Sequence, residues 1–498
     1  MSNNKNSKIF LIGLDGATWD LIKPWTEDGK LPTFKKLMNE GAWGILESTM
    51  PPLSPIAWTS IFTGVTPRKH SIYGFVKRTK TSYVIRPISS RDISSKLLWE
   101  FLSEAGIRGV FLNIPFMYPP SALNGILTTG LGTPSRGSNF SYPREVKSEI
   151  LDRFPNYEVD FNEEEILTGL FKQDFILGRI KSITKAQIDA FKYLYTKERS
   201  HSQIFAIVLR SLDIVQHYFC DNRDTLLQFY QQADDFLNWC LRNKNAKDTL
   251  IICSDHGFQQ IKYKVRINEW LRREGFLSKK QISALKSTVS SLVDTTLKII
   301  IKLRLKRFIW KIKHSKQLEL LNKLFPSKRL SYVDIIDWER TYAFFDFGLT
   351  IAVNLRGREP EGCVPQTKYD QVRNKIIKKA NELEHPKTGE KVLEYVYKGE
   401  EIYGKATGVP DLILYFKEGY GHPIGFSKSG EIFEEPERIG DHALNGIICF
   451  YGNMVNNTKL QKMKVWDVAP MILQMFGVPI PNYFDGEVRK EVFRDDSK

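Results

Sequence analysis

The chain has 498 residues, a formal net charge of +15, 42% hydrophobic and 26% charged residues, values that exclude a disordered chain and allow a sizeable buried core. Five widely spaced cysteines without a C-x-x-C pair argue against a disulfide framework or a zinc ribbon. The longest apolar runs fall short of the 18 residues or so that a membrane span needs, disorder is expected only at "MSNNKNS" and "RDDSK", and the cytoplasm is the expected location.

From the N-terminus, "KIFLIGLDG" predicts a strand, 32–41 a helix, "GILES" a strand, "SPIAWTSIFTG" and "SKLLWEFLSEAG" helices, and "RGVFLNI" a strand. That alternation marks a mostly parallel sheet covered by helices on both faces. After a less regular insertion over about 133–200, the rhythm returns with "SQIFAIVLRSLD", a helix over 223–242 and "DTLIICSDHG", and it closes with "GIICFYG" and "VWDVAPMILQMFG". The expected organisation is a core of 1–258 and 440–498 carrying a cap over 259–439.

Most of the excess charge sits in the cap. Twelve Lys and Arg face two acidic residues over 286–329. Within it Val293, Leu297, Ile301, Leu305, Phe308 and Ile312 share one helical face, with Lys298, Lys302, Lys306 and Lys313 off it. Two readings stand: a helix packed on the cap with a solvated basic face, or one lying on an anionic membrane or reaching a polyanionic substrate. The cap carries no recognisable nucleic-acid module, so specific nucleic-acid binding is not expected.

Three apolar runs end in an acid or an acid–histidine pair: Asp15 after "IFLIGL", Asp213 after "IFAIVLRSL" with His217 four residues on, and Asp255 with His256 after "TLIICS". Beyond the carboxyl ends of an open α/β sheet lies the crevice where ligands sit. Asp and neutral His suit zinc, manganese or iron. If the chain turns helical at Asp213, that residue and His217 face the same way; Asp255 and His256, in an extended or turning backbone, would diverge and so fit two ions better than one. His442, in "GDHALNGII", precedes a strand. The commonplace readings are helix caps for the acids and hydrogen-bonded structural roles for the histidines. Ser54 opens an apparent helix after Pro51 and Pro52, where partial positive charge and unpaired amides favour an alkoxide or a phosphate, although an ordinary N-cap has the same appearance.

Taken together, "LIGLDGATWDLI", "PPLSPIAWTSIFTG", "KHSIYGF", "LNIPFMYPP", "LDIVQHYF", "CSDHGF", "INEWLRREGFL", "NLRGREPEG", "VPDLIL", "GDHALNGI" and "DVAPMILQMFGVPIPNYFDG" resemble, in order, the alkaline phosphatase superfamily and within it the type I phosphodiesterase and nucleotide pyrophosphatase branch. The resemblance implies a three-layer α/β/α core with an inserted cap. It implies two divalent ions, zinc first and manganese second, one held by Asp213, His217 and His442 and the other by Asp15, Asp255 and His256, with Ser54 as nucleophile bridging toward the second. The implied reaction is hydrolysis of a phosphodiester, pyrophosphate or phosphomonoester through a covalent phosphoserine. The substrate would be a phosphorylated small molecule, a nucleotide sugar or a lipid phosphate, with peripheral contact to the inner face of an anionic membrane through 286–329. The alternatives are a phosphotransferase or phosphomutase, and a non-catalytic scaffold for anionic lipid or glycan.

Two departures limit the carry-over. Nucleotide pyrophosphatases place an asparagine 21 residues after the nucleophile, and Phe75 stands there; serine replaces the threonine of many diesterases. Sulfatases need a C/S-x-P-x-R setting, which "SPIAW" lacks, with Trp58 in place of arginine. Asn113, at the end of its strand, is a further candidate for substrate contact, against a structural turn role. Cys253 reads as core.

Overall fold

Five runs rich in Ile, Val and Leu form the middle of a ten-stranded sheet. In the computed structural model, which describes residues 7–78, 83–167, 171–280, 332–346, 349–421, 426–427 and 429–494, these strands are Thr249–Cys253, Ile9–Leu14, Ile204–Leu209, Gly109–Ile114 and Gly125–Thr129, all parallel. Every residue in them is buried, which is why their sequences run apolar without alternation. Asn445–Tyr451 joins this block antiparallel and carries Ala42–Glu47 beyond it.

The period-2 geometry of the first strand sends Phe10, Ile12 and Leu14 to one face and Ile9 and Leu11 to the other. The first set packs under helices Trp19–Glu27, Pro32–Glu40, Gln173–Glu198 and Arg223–Asn243. The second packs under Ser54–Thr63, Leu98–Glu104 and Val468–Met475. The result is a three-layer α/β/α core.

The 133–200 stretch is more regular than its sequence implies. It holds helix Glu145–Arg153 and a 26-residue helix, Gln173–Glu198. Gly178 and four β-branched isoleucines lower the local helix preference, yet Ile176, Ile180, Ile183, Phe191 and Leu194 share one face and are buried against the sheet. Tertiary burial overrides the local preference.

The chain leaves and re-enters the core through one antiparallel ribbon, in which Gly257 faces Ala443, Phe258 faces His442 and Gln260 faces Gly440. Between these strands lies a separate antiparallel sheet of Ala343–Asp346, Thr350–Val353, Leu412–Phe416 and Leu393–Lys398. Its core, with Ile376 and Ala380 of helix Tyr369–Asn381, also takes in Leu53 and Ile56 beside Ser54. The basic stretch 286–329, with its apolar stripe, lies outside the described residues. Among the described residues no helix is long and apolar enough to cross a membrane, and all five cysteines are free thiols.

Candidate metal centre

The seven candidate ligands and nucleophile arrive from five pieces of this frame. Asp15 directly follows the first strand, and Ser54 is the first residue of its helix, with Pro55 behind it. Asp213 and His217 share a face of helix Ser211–Phe219, so Asp213 sits in a helix's first turn rather than at a strand end. His442 comes in on the return ribbon.

The seven side chains meet. Ser54 Oγ lies 3.1 Å from His256 Nε2. His256 Nε2 lies 3.3 Å from Asp255 Oδ2 and 3.6 Å from Asp15 Oδ1. Asp213 Oδ1 lies 3.1 Å from His217 Nε2 and 3.4 Å from His442 Nε2, and the His256 and His442 rings stack at 3.7 Å. Asp255 and His256 do not diverge as an extended backbone would have them. Their strand ends at Cys253, and the bend that follows cancels the alternation and turns both inward.

The donors around the centre settle where each polar atom points. The Nδ1 atoms of His256, His217 and His442 lie 2.9, 2.8 and 2.8 Å from the carbonyls of Gly257, Gly440 and Pro52. A carbonyl only accepts, so each Nδ1 carries a proton and each ring turns its Nε2 inward. The carboxylates follow the same rule. Asp15 Oδ2 accepts from Trp58 Nε1 at 2.9 Å, Asp255 Oδ1 accepts from the Gly16 amide at 3.3 Å, and Asp213 Oδ2 faces Arg210 Nε at 3.3 Å. The other oxygens, Asp15 Oδ1, Asp255 Oδ2 and Asp213 Oδ1, are buried without a hydrogen-bond partner.

Three bare carboxylate oxygens buried this close together repel unless positive charge lies among them. His217 Nε2 and His442 Nε2 are only 3.1 Å apart. Two donor sets are close enough to hold an ion, Asp213–His217–His442 and Asp15–Asp213–His256, so Asp213 belongs to both, and Asp255 flanks the second. The mix of hard oxygen and borderline nitrogen fits zinc or manganese.

Burial, and then the neighbouring Asp255 and Asp213, push Asp15 well above the usual carboxylate range. Asp255 is also raised, by burial first. Asp213 is held low against its burial by His217 and Arg210. Burial and the adjacent His256 push His442 down to about 4.

Arg210, Trp58 and the Gly16 amide are the parts that the sequence did not disclose. Arg210 reaches Asp160 at 2.5 Å and also binds Glu163, which in turn binds Arg438 and Tyr218. The available signals were spacings: Arg210 lies three residues before Asp213, and Trp58 lies one helical turn after Ser54.

Two candidates remain, Asn113 and Phe75. Asn113 adopts a left-handed backbone (φ 59°) and donates from Nδ2 to the Val208 carbonyl at 3.0 Å, while its Oδ1 is buried without a partner. Phe75 packs edge-on against Phe116 and joins the apolar clusters next to Leu53 and Ile56, so it offers a wall and no donor.

The family model described as type I phosphodiesterase / nucleotide pyrophosphatase matches residues 9–443. No curated protein matches the chain. Among solved structures, murine ectonucleotide pyrophosphatase / phosphodiesterase 5 is 13% identical with a TM-score of 0.52, covering 96% of this chain and 98% of its own. Alkaline phosphatase PafA is 14% identical at a TM-score of 0.58, covering 98% of each chain. Phosphonoacetate hydrolase from Sinorhizobium meliloti 1021, in complex with phosphonoformate, is 12% identical at 0.55, covering 95% of this chain and 96% of its own. At these identities the likenesses show the fold.

Proposed function

The chain belongs to the type I phosphodiesterase / nucleotide pyrophosphatase family of the alkaline phosphatase superfamily, and is therefore a hydrolase of phosphoric ester bonds; from that premise we propose that Ser54 is its nucleophile at a two-metal site. The observation that carries this reading is the convergence of three bare carboxylate oxygens, three inward imidazole nitrogens and one serine hydroxyl.

Asp213, His217 and His442 would hold one ion and Asp15, Asp255 and His256 the other, with Asp213 close enough to touch both. Zinc or manganese bound there would supply positive charge, acidify the serine hydroxyl and an attacking water, and offset the charge on the phosphoryl oxygens. Ser54 Oγ, at the amide-rich start of its ten-residue helix, attacks phosphorus, the bond to the leaving oxygen breaks, and a phosphoserine forms. Water then attacks the same phosphorus and returns the serine hydroxyl. Phe75 puts an apolar ring where nucleotide pyrophosphatases hold an amide, so recognition of the phosphate falls to other groups.

The substrate class within this reading is a phosphorylated small molecule, a nucleotide sugar or a lipid phosphate. A murine relative in the same fold has been solved as an inactive variant in complex with AMP, which supports including nucleotides. The reading keeps 259–439 as a cap over the centre and puts the protein in the cytoplasm, with the basic 286–329 segment against an anionic membrane. Sedimentation with anionic and neutral liposomes tests that last element, and equal binding to both removes it.

The main test is turnover of bis-p-nitrophenyl phosphate and p-nitrophenyl phosphate with added zinc or manganese, in the parent and in Ser54→Ala. Loss of turnover by at least about a thousandfold with metal uptake intact is expected. Activity persisting in Ser54→Ala removes the nucleophile assignment, and absence of metal uptake in both proteins favours a binding scaffold.

A further inference from the structure

Trp58 is fully buried on the nucleophile helix, and its indole N–H donates to Asp15 Oδ2 at 2.9 Å. Ser54 and Trp58 are four residues apart on that helix and so project from the same face. The first reaches His256 and the second reaches Asp15. The indole therefore spans the gap between the helix that carries the hydroxyl and the strand that carries the acid.

The strand is shaped to receive it. Gly13 lies in the strand, two residues before Asp15, which follows the strand's end. A Cβ added at Gly13 would lie 2.5 Å from the far edge of the Trp58 ring and 2.9 Å from Val208. The missing side chain at Gly13 makes the bed for the benzene end of the indole, while Asp15 meets its pyrrole end. Phe62, one further turn along, stacks on the indole at 6.1 Å.

We propose that Trp58 is a positioning residue for the metal centre. Its N–H occupies Asp15 Oδ2 so that Oδ1 alone faces the ions, and its ring sets the distance between Asp15 and Ser54. The proposal rests on the two-metal reading of the site. Removing an outer donor from a metal-binding carboxylate typically weakens metal affinity by about 10- to 100-fold.

The test is zinc affinity by competition with a chromophoric chelator, in the full chain, for the parent, Trp58→Phe and Gly13→Ala. Trp58→Phe keeps most of the ring and removes the donor; Gly13→Ala keeps the donor and pushes the ring off its bed. Both are expected to bind zinc at least about tenfold more weakly, with the thermal midpoint of metal-free Trp58→Phe close to that of the parent. In the parent labelled with 15N at its indoles, zinc should shift the resonance that Trp58→Phe lacks. If Gly13→Ala does not fold, the phenylalanine variant and the spectrum still decide. Parental zinc affinity in Trp58→Phe, or an unmoved Trp58 resonance, overturns the proposal and leaves the metal site standing. A parent that takes up no zinc overturns both.

Discussion

Two buried aspartates, each facing an arginine, sit in the two halves of this molecule with opposite consequences. Beside strand Leu412–Phe416 of the smaller antiparallel sheet, Asp411 accepts Arg358 Nη1 on Oδ1 and Nη2 on Oδ2, both at 2.6 Å, together with the Val353 amide at 2.6 Å and the Tyr369 hydroxyl. Both of its oxygens are consumed. In the core, Asp213 gives one oxygen to Arg210 and leaves the other bare between two histidines. A structural carboxylate is satisfied on both sides, whereas one kept for a cation is satisfied only from outside. Asp15 and Asp255 repeat the core pattern with donors of quite different chemistry, an indole and a backbone amide.

The sharpest way to break this contrast is to remove the charge while keeping the shape. Asp213→Asn should lower phosphodiester turnover by at least about a thousandfold, equivalent to about 4 kcal/mol, with zinc uptake reduced in parallel. The thermal midpoint of the metal-free variant should not fall, because Arg210 retains Asp160 and Glu163. A metal-free variant that is much less stable than the parent would make Asp213 a structural residue after all.

Asp411→Asn should do the reverse. Losing charge-assisted bonds beside the smaller sheet is expected to destabilise by about 2 kcal/mol, read as a shift in urea midpoint, while zinc affinity of the folded protein stays at the parental value. A drop in zinc affinity without a stability change would dissolve the distinction between the two halves.

The smallest effect belongs to His70, a histidine satisfied on both nitrogens. Its Nδ1 accepts the Ile72 amide at 3.2 Å, so Nε2 bears the proton toward Ser60 Oγ at 3.0 Å, and burial lowers it to about 3. The ring stays neutral in the fold while the unfolded chain takes up a proton near pH 6.5. Its contribution is thus complete above about 6.5 and is lost as the pH falls toward 3. The slope is at most about 1.4 kcal/mol per pH unit. Stability measured from pH 7 to pH 5 should fall less steeply in His70→Gln; an unchanged slope would detach His70 from acid sensitivity.

Much of the core was legible because its signals are local. "IFLIGL", "IFAIVL" and "TLIIC" are too apolar for anything but strands buried on both faces, and the acids after them fall where a parallel sheet opens its crevice. The helix Gln173–Glu198 was not read from the sequence, because Gly178 and its β-branched isoleucines weaken the local preference, although Ile176, Ile180, Ile183, Phe191 and Leu194 do recur on one helical face. Phe75 and Asn113 could be singled out by position, but their packing against Phe116 and the Val208 carbonyl belongs to neighbours distant in the chain.

The sequence by itself determined which groups could bind a cation, since residue type fixes the available donor atoms and strand ends fix their approximate edge of the sheet. Only the tertiary structure decided which oxygen of each carboxylate is left bare and which nitrogen of each imidazole faces inward. Those choices are made by Trp58, Gly16, Arg210 and the carbonyls of Gly257, Gly440 and Pro52. Most of these lie far along the chain from the ligand they hold, and a hydrogen bond forms only between atoms that folding has already brought within reach.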